Sequence, residues 1–345
     1  MELGSEYDLD FSRLTDTTDT VFTCLKEFHT IYTDSGRSAL RLLSGRLRGA
    51  AVLLPDYLCE TVPDALPKDC RIVRYPTGRR FQIDMETLEH LLKTHRAGFL
   101  YLMHYFGTLQ PAGCLRRIAE LREQYRLTVI EDTTHSLFSA PITVGDYGIA
   151  SLRKWFPVPD GGVLYARDRQ LLPPKPKRKK NVSRKLTAML LKHFYLTGHP
   201  GRPADYREIF IQEEHTLDCQ TAVYEMSDIT RFLLSHNSVE HMCTQRRKNT
   251  GQLLEALQDL SIPAAIDIQP SDVLLALPVC LADRDRLRKR LTEHRIYCAV
   301  HWPLGHPAAF TDTKWMERHI LSLPVDQRYH EKEIAYLSEC LKGLL

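Results

Sequence analysis

The sequence predicts an α/β fold in which a mostly parallel sheet lies between helices. Three observations predict it: short apolar runs typical of buried strands, helical patterns between them, and a regular alternation of the two in the first half of the chain. Strands that alternate with helices form crossovers that place helices on both faces of a parallel sheet. The strand-like runs are Ala50–Leu54, Arg71–Tyr75, Ala97–His104 and Thr128–Glu131, and the helical patterns are Ser38–Leu47, Met85–Thr94 and Gly113–Tyr125.

The chain has 345 residues, of which 43% are hydrophobic. This length exceeds that of one small core and predicts a large domain with a smaller one. We expect an N-terminal arm over residues 1–34, a large domain over 35–225 and a small C-terminal α+β domain over 226–345. The net charge is +3, from 46 basic and 43 acidic residues, and so small a charge predicts neither a nucleic-acid partner nor a membrane partner.

The second half of the chain is less regular. Residues 171–185 are proline-rich and basic, which predicts an exposed loop; a grip on phosphates or acidic glycans is the alternative. The stretch Met226–Leu260 predicts one or two long helices, with an apolar stripe that includes Phe232 and a polar face that includes Arg246. The small domain is expected to contain two strands and two helices: Val273–Val279, Tyr297–Trp302, Arg284–His294 and Glu331–Leu344.

The nine cysteines are scattered along the chain, and no two are spaced as Cys-x-x-Cys. An odd number without such spacing argues against a disulfide framework and a metal site, and favours reduced thiols. Residues 1–20 are acidic and polar, so no signal peptide is expected. The longest apolar runs are too short to span a bilayer. We therefore expect a soluble, cytoplasmic protein without a bound metal.

The first segment that suggests chemistry is Asp34–Leu40, a turn of small residues that leads into a helix. Free backbone N–H groups and neighbouring hydroxyls at a helix start form an anion site. The alternative is that Ser35 or Ser38 only caps the helix.

The second segment is Thr128–His135, an apolar strand that ends near Asp132. Ligands of open α/β sheets bind beyond the carboxyl ends of the strands, which is where Asp132 is expected. A buried carboxylate needs a cationic partner, and a protonated pyridine nitrogen would be one. The alternative is that Asp132 only caps the next helix.

The third segment is Gly148–Gly162, in which Lys154 stands among apolar and aromatic residues. Apolar surroundings favour the uncharged amine, which is the form that attacks a carbonyl carbon. A surface lysine is the alternative for Lys154 taken alone. The order of a phosphate turn, a strand-end aspartate, a lysine and a glycine pair favours an amine that binds a carbonyl cofactor.

Together these segments resemble the fold-type I pyridoxal-phosphate (PLP) enzymes, and in particular the DegT/DnrJ-type sugar aminotransferases. The similarity runs from about residue 35 to the C-terminus and depends on the order and spacing of several short motifs. It implies an aspartate-aminotransferase-like PLP fold, PLP as the cofactor and a homodimer. The motifs are Gly36–Leu40, Leu54–Cys59, Phe81–Asp84, His104–Gly107, Glu131–Ser136 and Ser151–Gly162.

The resemblance also implies roles for individual residues. Lys154 would hold the cofactor as a Schiff base and then shuttle a proton, and Asp132 would pair with the pyridine nitrogen. His135 would lie near the 3-oxygen of the ring. The phosphate would be bound by the helix start and by a hydroxyl three residues before the lysine: Gly36, Arg37, Ser38 and Ser151.

Two positions depart from the family pattern. The family has an aromatic residue for ring stacking where this chain has Cys59, so Tyr57, or else Tyr105 or Phe106, is expected to stack on the ring. A partner-subunit Asn or Arg that binds the phosphate corresponds here to the stretch Tyr224–Asp228, whose glutamate would repel a phosphate.

Residues near the C-terminus resemble the substrate side of the family. The segment Tyr297–Pro303 contains His301 and Trp302, and the segment Leu321–Tyr329 contains Arg328. These three side chains are candidates to contact the substrate. A packed tryptophan and a structural arginine are the alternatives.

The activity that the resemblance implies is a transamination from an amino-acid donor to a carbonyl acceptor, in this family a keto sugar that is often nucleotide-linked. The presence of Lys154 argues against the family's dehydratases, which have a histidine at that position. Elimination or decarboxylation on the same scaffold is one alternative, and a non-catalytic PLP-binding scaffold protein is another.

Overall fold

A seven-stranded sheet forms the centre of the fold. The computed structural model describes residues 2–345. The strands of the sheet are β1 (His29–Thr33), β2 (Ala51–Pro55), β3 (Arg71–Tyr75), β4 (Phe99–Met103), β5 (Thr128–Asp132), β6 (Tyr147–Ser151) and β7 (Gly162–Ala166). Their order is β1-β7-β6-β5-β4-β2-β3, in which the pairs β2–β3, β2–β4 and β4–β5 are parallel and β1–β7 is antiparallel. The predicted α/β fold with a mostly parallel sheet is confirmed.

Helices alternate with these strands along the chain and continue after them to the C-terminus. A second sheet pairs β8 (Leu277–Cys280) antiparallel with β9 (Ile320–Leu323). No helix within residues 2–345 is both long enough and apolar enough to cross a membrane. The helices are α1 (Val21–Cys24), α2 (Gly36–Arg41), α3 (Ser44–Leu47), α4 (Met85–His95), α5 (Ala112–Tyr125), α6 (Ser183–Leu196), α7 (Pro203–Cys219), α8 (Asp228–Ser235), α9 (Val239–Asp259), α10 (Arg284–Glu293), α11 (Thr311–His319) and α12 (Glu331–Leu344).

The chain divides into two compact units. The first unit contains residues 2–5, 44–148 and 241–345, and the second unit contains residues 6–43 and 149–240. Each unit is therefore assembled from segments that are far apart in the sequence. The expected arm, large domain and small domain, with boundaries at residues 34 and 225, stay a prediction.

An apolar core lies between the strands and helices of the first unit. Leu88 and Leu92 of α4, Ile118 and Leu121 of α5, and Val129 of β5 are all buried in it. The helical spacing of the leucines and the isoleucine places them on one face of each helix. Burial of each such side chain contributes about 1.5–3 kcal/mol, so this core holds β4 and β5 firmly in place.

Three predicted elements differ from the structure. The single helix expected over Ser38–Leu47 is instead two short helices, α2 and α3. The strand expected over Val273–Val279 begins only at Leu277, because the N–H of Leu275 donates to the carbonyl oxygen of Phe106 instead of to a strand. The segment Tyr297–Trp302 is not a strand. It forms one isolated bridge to β9, whose other side pairs with β8.

Strands β1, β6 and β9 and helices α1, α6, α7 and α11 were not expected from the sequence. Strand β1 has an irregular burial pattern because it pairs only with β7 in the sheet order. A strand of this kind lacks the clear apolar alternation that sequence patterns detect. Sequence patterns therefore found β3 at one edge of the sheet and the inner strands β2, β4 and β5, and they missed β1 at the other edge and the inner strand β6.

Two residues of the long helical stretch have the opposite exposure from that expected. Arg246, expected on a polar face, is 1% exposed, and its guanidinium donates to the carbonyl oxygens of Leu274 and Leu275. Phe232, expected in the apolar stripe, is 48% exposed. The buried arginine is stable there because its donors find backbone acceptors.

The basic segment 171–185 is only partly the expected loop. Residues 173–178 lack regular structure, whereas α6 begins at Ser183. Lys185, inside that helix, is buried, and its ammonium donates to Glu214 at 2.9 Å. The loop prediction holds for the proline-containing part and is wrong for the last three residues.

Candidate functional site

Asp132 ends strand β5 in the first unit, and its carboxylate is buried. Oδ2 accepts a hydrogen bond from the Tyr101 hydroxyl at 2.7 Å, and Oδ1 accepts one from the Thr134 backbone N–H at 2.9 Å. Burial raises the pKa of the Asp132 carboxyl, while the bonds from Thr134 and Tyr101 act in the opposite direction. Both donors are neutral, so these hydrogen bonds solvate the negative charge without pairing it with a cation.

The suggestion that Asp132 caps a helix is wrong. The chain over residues 134–139 forms turns and not a helix, and the bond to Thr134 closes a local turn. Aspartate side chains commonly close such turns two residues ahead. The carboxylate is thus held at the end of β5, in the place where ligands of α/β sheets bind.

His135 lies three residues after Asp132 and is also buried. Its Nδ1 accepts the backbone N–H of Phe106 at 3.3 Å, so the neutral ring carries its proton on Nε2. The ring stacks on that of Trp302, with centroids 5.4 Å apart and planes 25° from parallel. The imidazole is therefore fixed on two sides.

The three residues expected to compete for ring stacking all belong to one aromatic cluster of the first unit. The Tyr57 hydroxyl donates to the carbonyl oxygen of His301, and the Tyr105 hydroxyl donates to the carbonyl oxygen of Tyr57 at 2.6 Å. Burial raises the pKa of Tyr57 and of Tyr105, so both phenols stay neutral. Phe81, Phe106 and Trp302 complete the cluster by ring contacts. Which ring would stack on a cofactor stays a prediction.

His301 and Arg328, two of the candidates for substrate contact near the C-terminus, each contact other side chains of the first unit. His301 Nδ1 lies 2.7 Å from the hydroxyl of Ser322, and its ring contacts that of His135 with centroids 5.7 Å apart. Arg328 forms a two-pronged ion pair with Asp326, at 2.8 and 2.9 Å. The contact between His301 and His135 favours a position of His301 near the candidate site. The ion pair with Asp326 favours the alternative that Arg328 is a structural arginine.

The turn before α2 belongs to the second unit. The Ser35 hydroxyl accepts the backbone N–H of Ser38 at 3.1 Å, so Ser35 caps this helix as one alternative expected. The Ser38 hydroxyl is buried, and no residue of the described chain forms a hydrogen bond with it. A Cβ atom at Gly36 would lie 3.3 Å from Cβ of Ser151, which places these two residues side by side. Three of the four predicted phosphate ligands thus lie at one turn, with Ser151 beside it.

Two charged residues near this turn already have partners. Arg37 donates to Asp218 at 2.6 Å. Glu225, at the position where the family pattern has Asn or Arg, accepts a hydrogen bond from Arg231 at 2.9 Å. The charge of the glutamate is therefore balanced within the second unit.

Lys154 ends a short 3-10 turn, Leu152–Lys154, and its side chain is exposed. The expectation of an apolar environment is wrong at this position. Residues three apart share a face of a 3-10 turn, and Leu152 and Trp155 use that face to enter the core. Lys154 is consequently turned to the outside.

The residue before Lys154 anchors this turn. Arg153 donates to Glu214 of α7 at 2.7 Å, and Lys185 of α6 donates to the same carboxylate. These two cations, after the opposing effect of burial, hold the pKa of Glu214 well below its usual range. The α6–α7 helix pair, which the sequence did not predict, therefore positions the turn that carries the lysine.

Tyr101 is a residue of the candidate site that the sequence did not indicate. In the parallel pair β4–β5, Tyr101 lies opposite Ile130 and Met103 lies opposite Asp132. Alternate residues share a sheet face, so Tyr101 and Asp132 lie diagonally on one face. A sequence signal could have identified it. Tyr101 lies in the neighbouring buried strand two residues from Met103, the residue paired with Asp132, and residues two apart in a strand share a sheet face.

No family model matches the sequence, and no curated protein matches it either. Solved structures do match. A DegT DnrJ EryC1 StrS aminotransferase from Brucella abortus is 16% identical, with a TM-score of 0.66 over 96% of this chain and 91% of that chain. NtdA from Bacillus subtilis, solved with bound cofactor PMP, is 15% identical, with a TM-score of 0.64 over 100% of this chain and 86% of that chain. The sugar aminotransferase CalS13 from Micromonospora echinospora is 14% identical, with a TM-score of 0.66 over 99% of this chain and 100% of that chain.

Identities this low establish the fold alone. The matches span nearly the whole of this chain, both units included. The fold that the resemblance implied is confirmed: the chain has the fold of the DegT/DnrJ-type aminotransferases.

Proposed function

We propose that this protein is a PLP-dependent aminotransferase that moves an amino group from an amino-acid donor to a carbonyl acceptor. The observation that carries the proposal is Asp132, a buried carboxylate whose donors, Tyr101 and Thr134, are both neutral. A buried charge of this kind is costly unless a cation pairs with it. The protonated pyridine nitrogen of PLP is such a cation.

Groups of the second unit could bind a phosphate such as that of PLP. The Ser38 hydroxyl is buried without a partner among the described residues, which is uncommon in folded proteins. A phosphate oxygen would accept its hydrogen bond, together with those of the neighbouring turn. Gly36, Arg37 and Ser151 are the other proposed ligands at this turn.

The remaining roles are assigned to His135, to the cofactor itself and to Lys154. His135, fixed by Phe106 and Trp302, would donate from Nε2 to the 3-oxygen of the ring. When bound, PLP supplies an electron sink for charge that develops at the α carbon of the substrate. The Nζ atom of Lys154 would attach the cofactor and, once released by the amino donor, carry a proton to and from the substrate.

We propose a keto sugar as the acceptor and an amino acid such as glutamate as the donor. Solved structures with the same fold include sugar aminotransferases, among them CalS13, and this supports the choice. His301 and Trp302 would contact the substrate from the loop after residue 300, since both rings pack on His135.

We also propose that the protein acts as a homodimer, because fold-type I enzymes build their active sites at a dimer interface. This part of the proposal is an analogy at the level of the fold. Light scattering on the purified protein should give twice the mass of the chain. A fully active monomer would contradict the proposal. A cytoplasmic location is proposed on the separate ground of the scattered cysteines.

The decisive experiment compares wild type with Lys154→Ala. PLP-loaded wild type should show a visible absorption band that bleaches when an amino donor is added and returns with a keto acceptor. In Lys154→Ala the band of the covalent adduct should be absent and turnover should fall by about 10⁴-fold or more, because the variant lacks both the attachment point and the proton carrier. Thermal unfolding should be unchanged, since the lysine side chain is exposed.

The matched control is Lys289→Ala, which removes another exposed lysine, on α10. It should leave the band and the turnover at wild-type levels. A colourless wild type, even with added PLP, would rule out every PLP-dependent function. A band that responds to no donor in a screen would favour the non-catalytic scaffold, and release of carbon dioxide or of an eliminated group would favour the other PLP reactions.

A further inference from the structure

Tyr101 is fully buried in the middle of β4, and its hydroxyl is directed at Asp132. A buried phenol needs a hydrogen-bond acceptor, and here the acceptor is a carboxylate oxygen at 2.7 Å. Burial and the neighbouring Asp132 charge both raise the pKa of Tyr101 well above its usual value. The phenol is therefore a permanent donor to this carboxylate.

The Asp132 carboxylate accepts hydrogen bonds from the Tyr101 hydroxyl and from both the backbone N–H and the side chain of Thr134. Thr134 N–H occupies Oδ1 and the Tyr101 hydroxyl occupies Oδ2, so rotation of the carboxylate would break both bonds. Each oxygen of a carboxylate can accept a second bond. With three hydrogen bonds in place, one further donor can therefore be bound without loss of the others.

We propose that Tyr101 is a positioning residue that holds Asp132 ionised and correctly oriented for a protonated ring nitrogen. This inference rests on the proposed function, because it assigns to Tyr101 a role that acts through Asp132. A hydrogen bond to a charged group is stronger than one between neutral groups, so the phenol favours the carboxylate over the carboxylic acid. It thereby offsets part of the opposing effect of burial.

Other titratable groups of the first unit face Asp132 but are already engaged. His104 accepts the backbone N–H of Gln110 at Nδ1, and its Nε2 lies 3.2 Å from Glu131. The Tyr105 hydroxyl donates to the carbonyl oxygen of Tyr57. Within this unit, Tyr101 is thus the titratable side chain that donates a hydrogen bond to Asp132.

The experiment compares Tyr101→Phe with Tyr75→Phe. Tyr75 is also a fully buried phenol of the first unit, but its hydroxyl donates to the carbonyl oxygen of Tyr101 and not to Asp132. PLP is titrated into each cofactor-free protein across a range of pH, and binding is followed by absorption, which requires no turnover. Loss of a hydroxyl costs both variants stability, so stability alone does not distinguish them.

For Tyr101→Phe we expect PLP affinity at neutral pH to fall about tenfold. The acid limb of its pH dependence should move upward by about one pH unit, because the carboxyl then gains a proton at a higher pH. For Tyr75→Phe both quantities should stay at wild-type values. In an Asp132→Asn background, Tyr101→Phe should no longer change the pH dependence, as expected for a residue that acts through the carboxylate.

The outcomes separate this inference from the function on which it rests. If wild type binds PLP and Tyr101→Phe matches Tyr75→Phe in affinity and pH dependence, the role of Tyr101 is wrong and the proposed function stands. If Tyr101→Phe shifts the acid limb equally with and without the Asp132 carboxylate, Tyr101 does not act through Asp132. A wild type that binds no PLP overturns both proposals.

Discussion

Asp132 and Lys154, the two residues with the main proposed contacts to PLP, lie in opposite environments. Asp132 is buried in the first unit, with both carboxylate oxygens held by neutral donors, whereas Lys154 lies on an exposed turn of the second unit. A charge that must remain fixed against a ring nitrogen benefits from a rigid, water-poor site, where electrostatic interactions are strong. An amine that must move between cofactor and substrate benefits from few contacts. Each environment therefore suits the role proposed for its residue.

Each unit also contains two residues of the same type, of which only one has a full set of partners within the protein. In the first unit, Asp326 has an arginine partner and Asp132 has none but neutral donors. In the second unit, the Ser35 hydroxyl caps a helix, and the Ser38 hydroxyl has no partner among the described residues. Residues satisfied by the protein stabilise the fold, and the others are available to a ligand. Chemically identical substitutions should thus have opposite effects within each pair.

The largest effect on stability is expected at Gly162 in the second unit, where two stretches of backbone are in close contact. In Gly162→Ala, the new Cβ would lie 2.2 Å from the carbonyl carbon of Ser35, which is backbone and cannot move aside cheaply. We expect a loss of about 4 kcal/mol in the free energy of unfolding, or failure to fold. Urea unfolding measures it.

The control for this prediction is Gly251→Ala in α9, where no atom lies within 4 Å of the new Cβ. This exposed helical site should gain about 0.5–1 kcal/mol, because alanine has the higher helix propensity. Equal effects of the two substitutions would show that the turn at Ser35 does not pack on β7 as described.

The second prediction concerns the aspartate pair. Burial raises the pKa of Asp132, so its charge destabilises the cofactor-free fold at neutral pH, and Asp132→Asn should increase the free energy of unfolding by about 1 kcal/mol. The amide oxygen can still accept the Thr134 N–H, and the Tyr101 hydroxyl can accept the amide N–H. The gain should vanish as the pH falls below about 3.9, where the wild-type carboxyl is protonated in both states. PLP affinity should fall in the same variant.

Asp326→Asn should do the reverse. The guanidinium of Arg328, after the opposing effect of burial, holds the pKa of Asp326 below its usual value. The wild-type pair therefore contributes stability that is present above about pH 3.9 and is lost as the pH falls through the lowered pKa. We expect a cost of about 3 kcal/mol at neutral pH in urea unfolding, because the arginine then faces an amide. If both aspartate variants destabilise equally, Asp132 is a structural residue and not one available to a ligand.

The sequence predicts the surroundings of Asp132 in the first unit better than those of Lys154 in the second unit. An apolar run followed by Glu131 and Asp132 marks the end of a buried strand, because polar residues are expensive inside a sheet, and the strand indeed ends at Asp132. The exposure of Lys154 could not be derived in this way. Its neighbours are apolar in the sequence, but the 3-10 turn sends Leu152 and Trp155 inward and leaves the lysine outside. The apolar composition of this segment does not reveal that it forms a 3-10 turn, in which residues three apart share a face.

The residues missed by the sequence analysis depend on long-range pairing. Tyr101 reaches Asp132 only because β4 and β5 pair in a particular parallel register. Glu214 supports the turn before Lys154 only because α6 and α7 fold back together, and the α6 pattern was hidden by a basic loop. Both contacts join residues more than 25 positions apart, which local patterns do not encode.

The smallest effect on stability is expected for the serine pair, which tests whether the second region is suited to an anion. In Ser38→Ala, a buried hydroxyl without a partner is removed, so the free energy of unfolding should stay the same or rise by about 0.5 kcal/mol. In Ser35→Ala, the cap of α2 is lost at a cost of about 1 kcal/mol. PLP affinity, and competition by inorganic phosphate, should weaken about tenfold in Ser38→Ala, because the phosphate loses a direct donor. A destabilised Ser38→Ala with unchanged affinity would mean that this hydroxyl serves the fold, and the phosphate would then have to be held by Gly36, Arg37 or Ser151 alone.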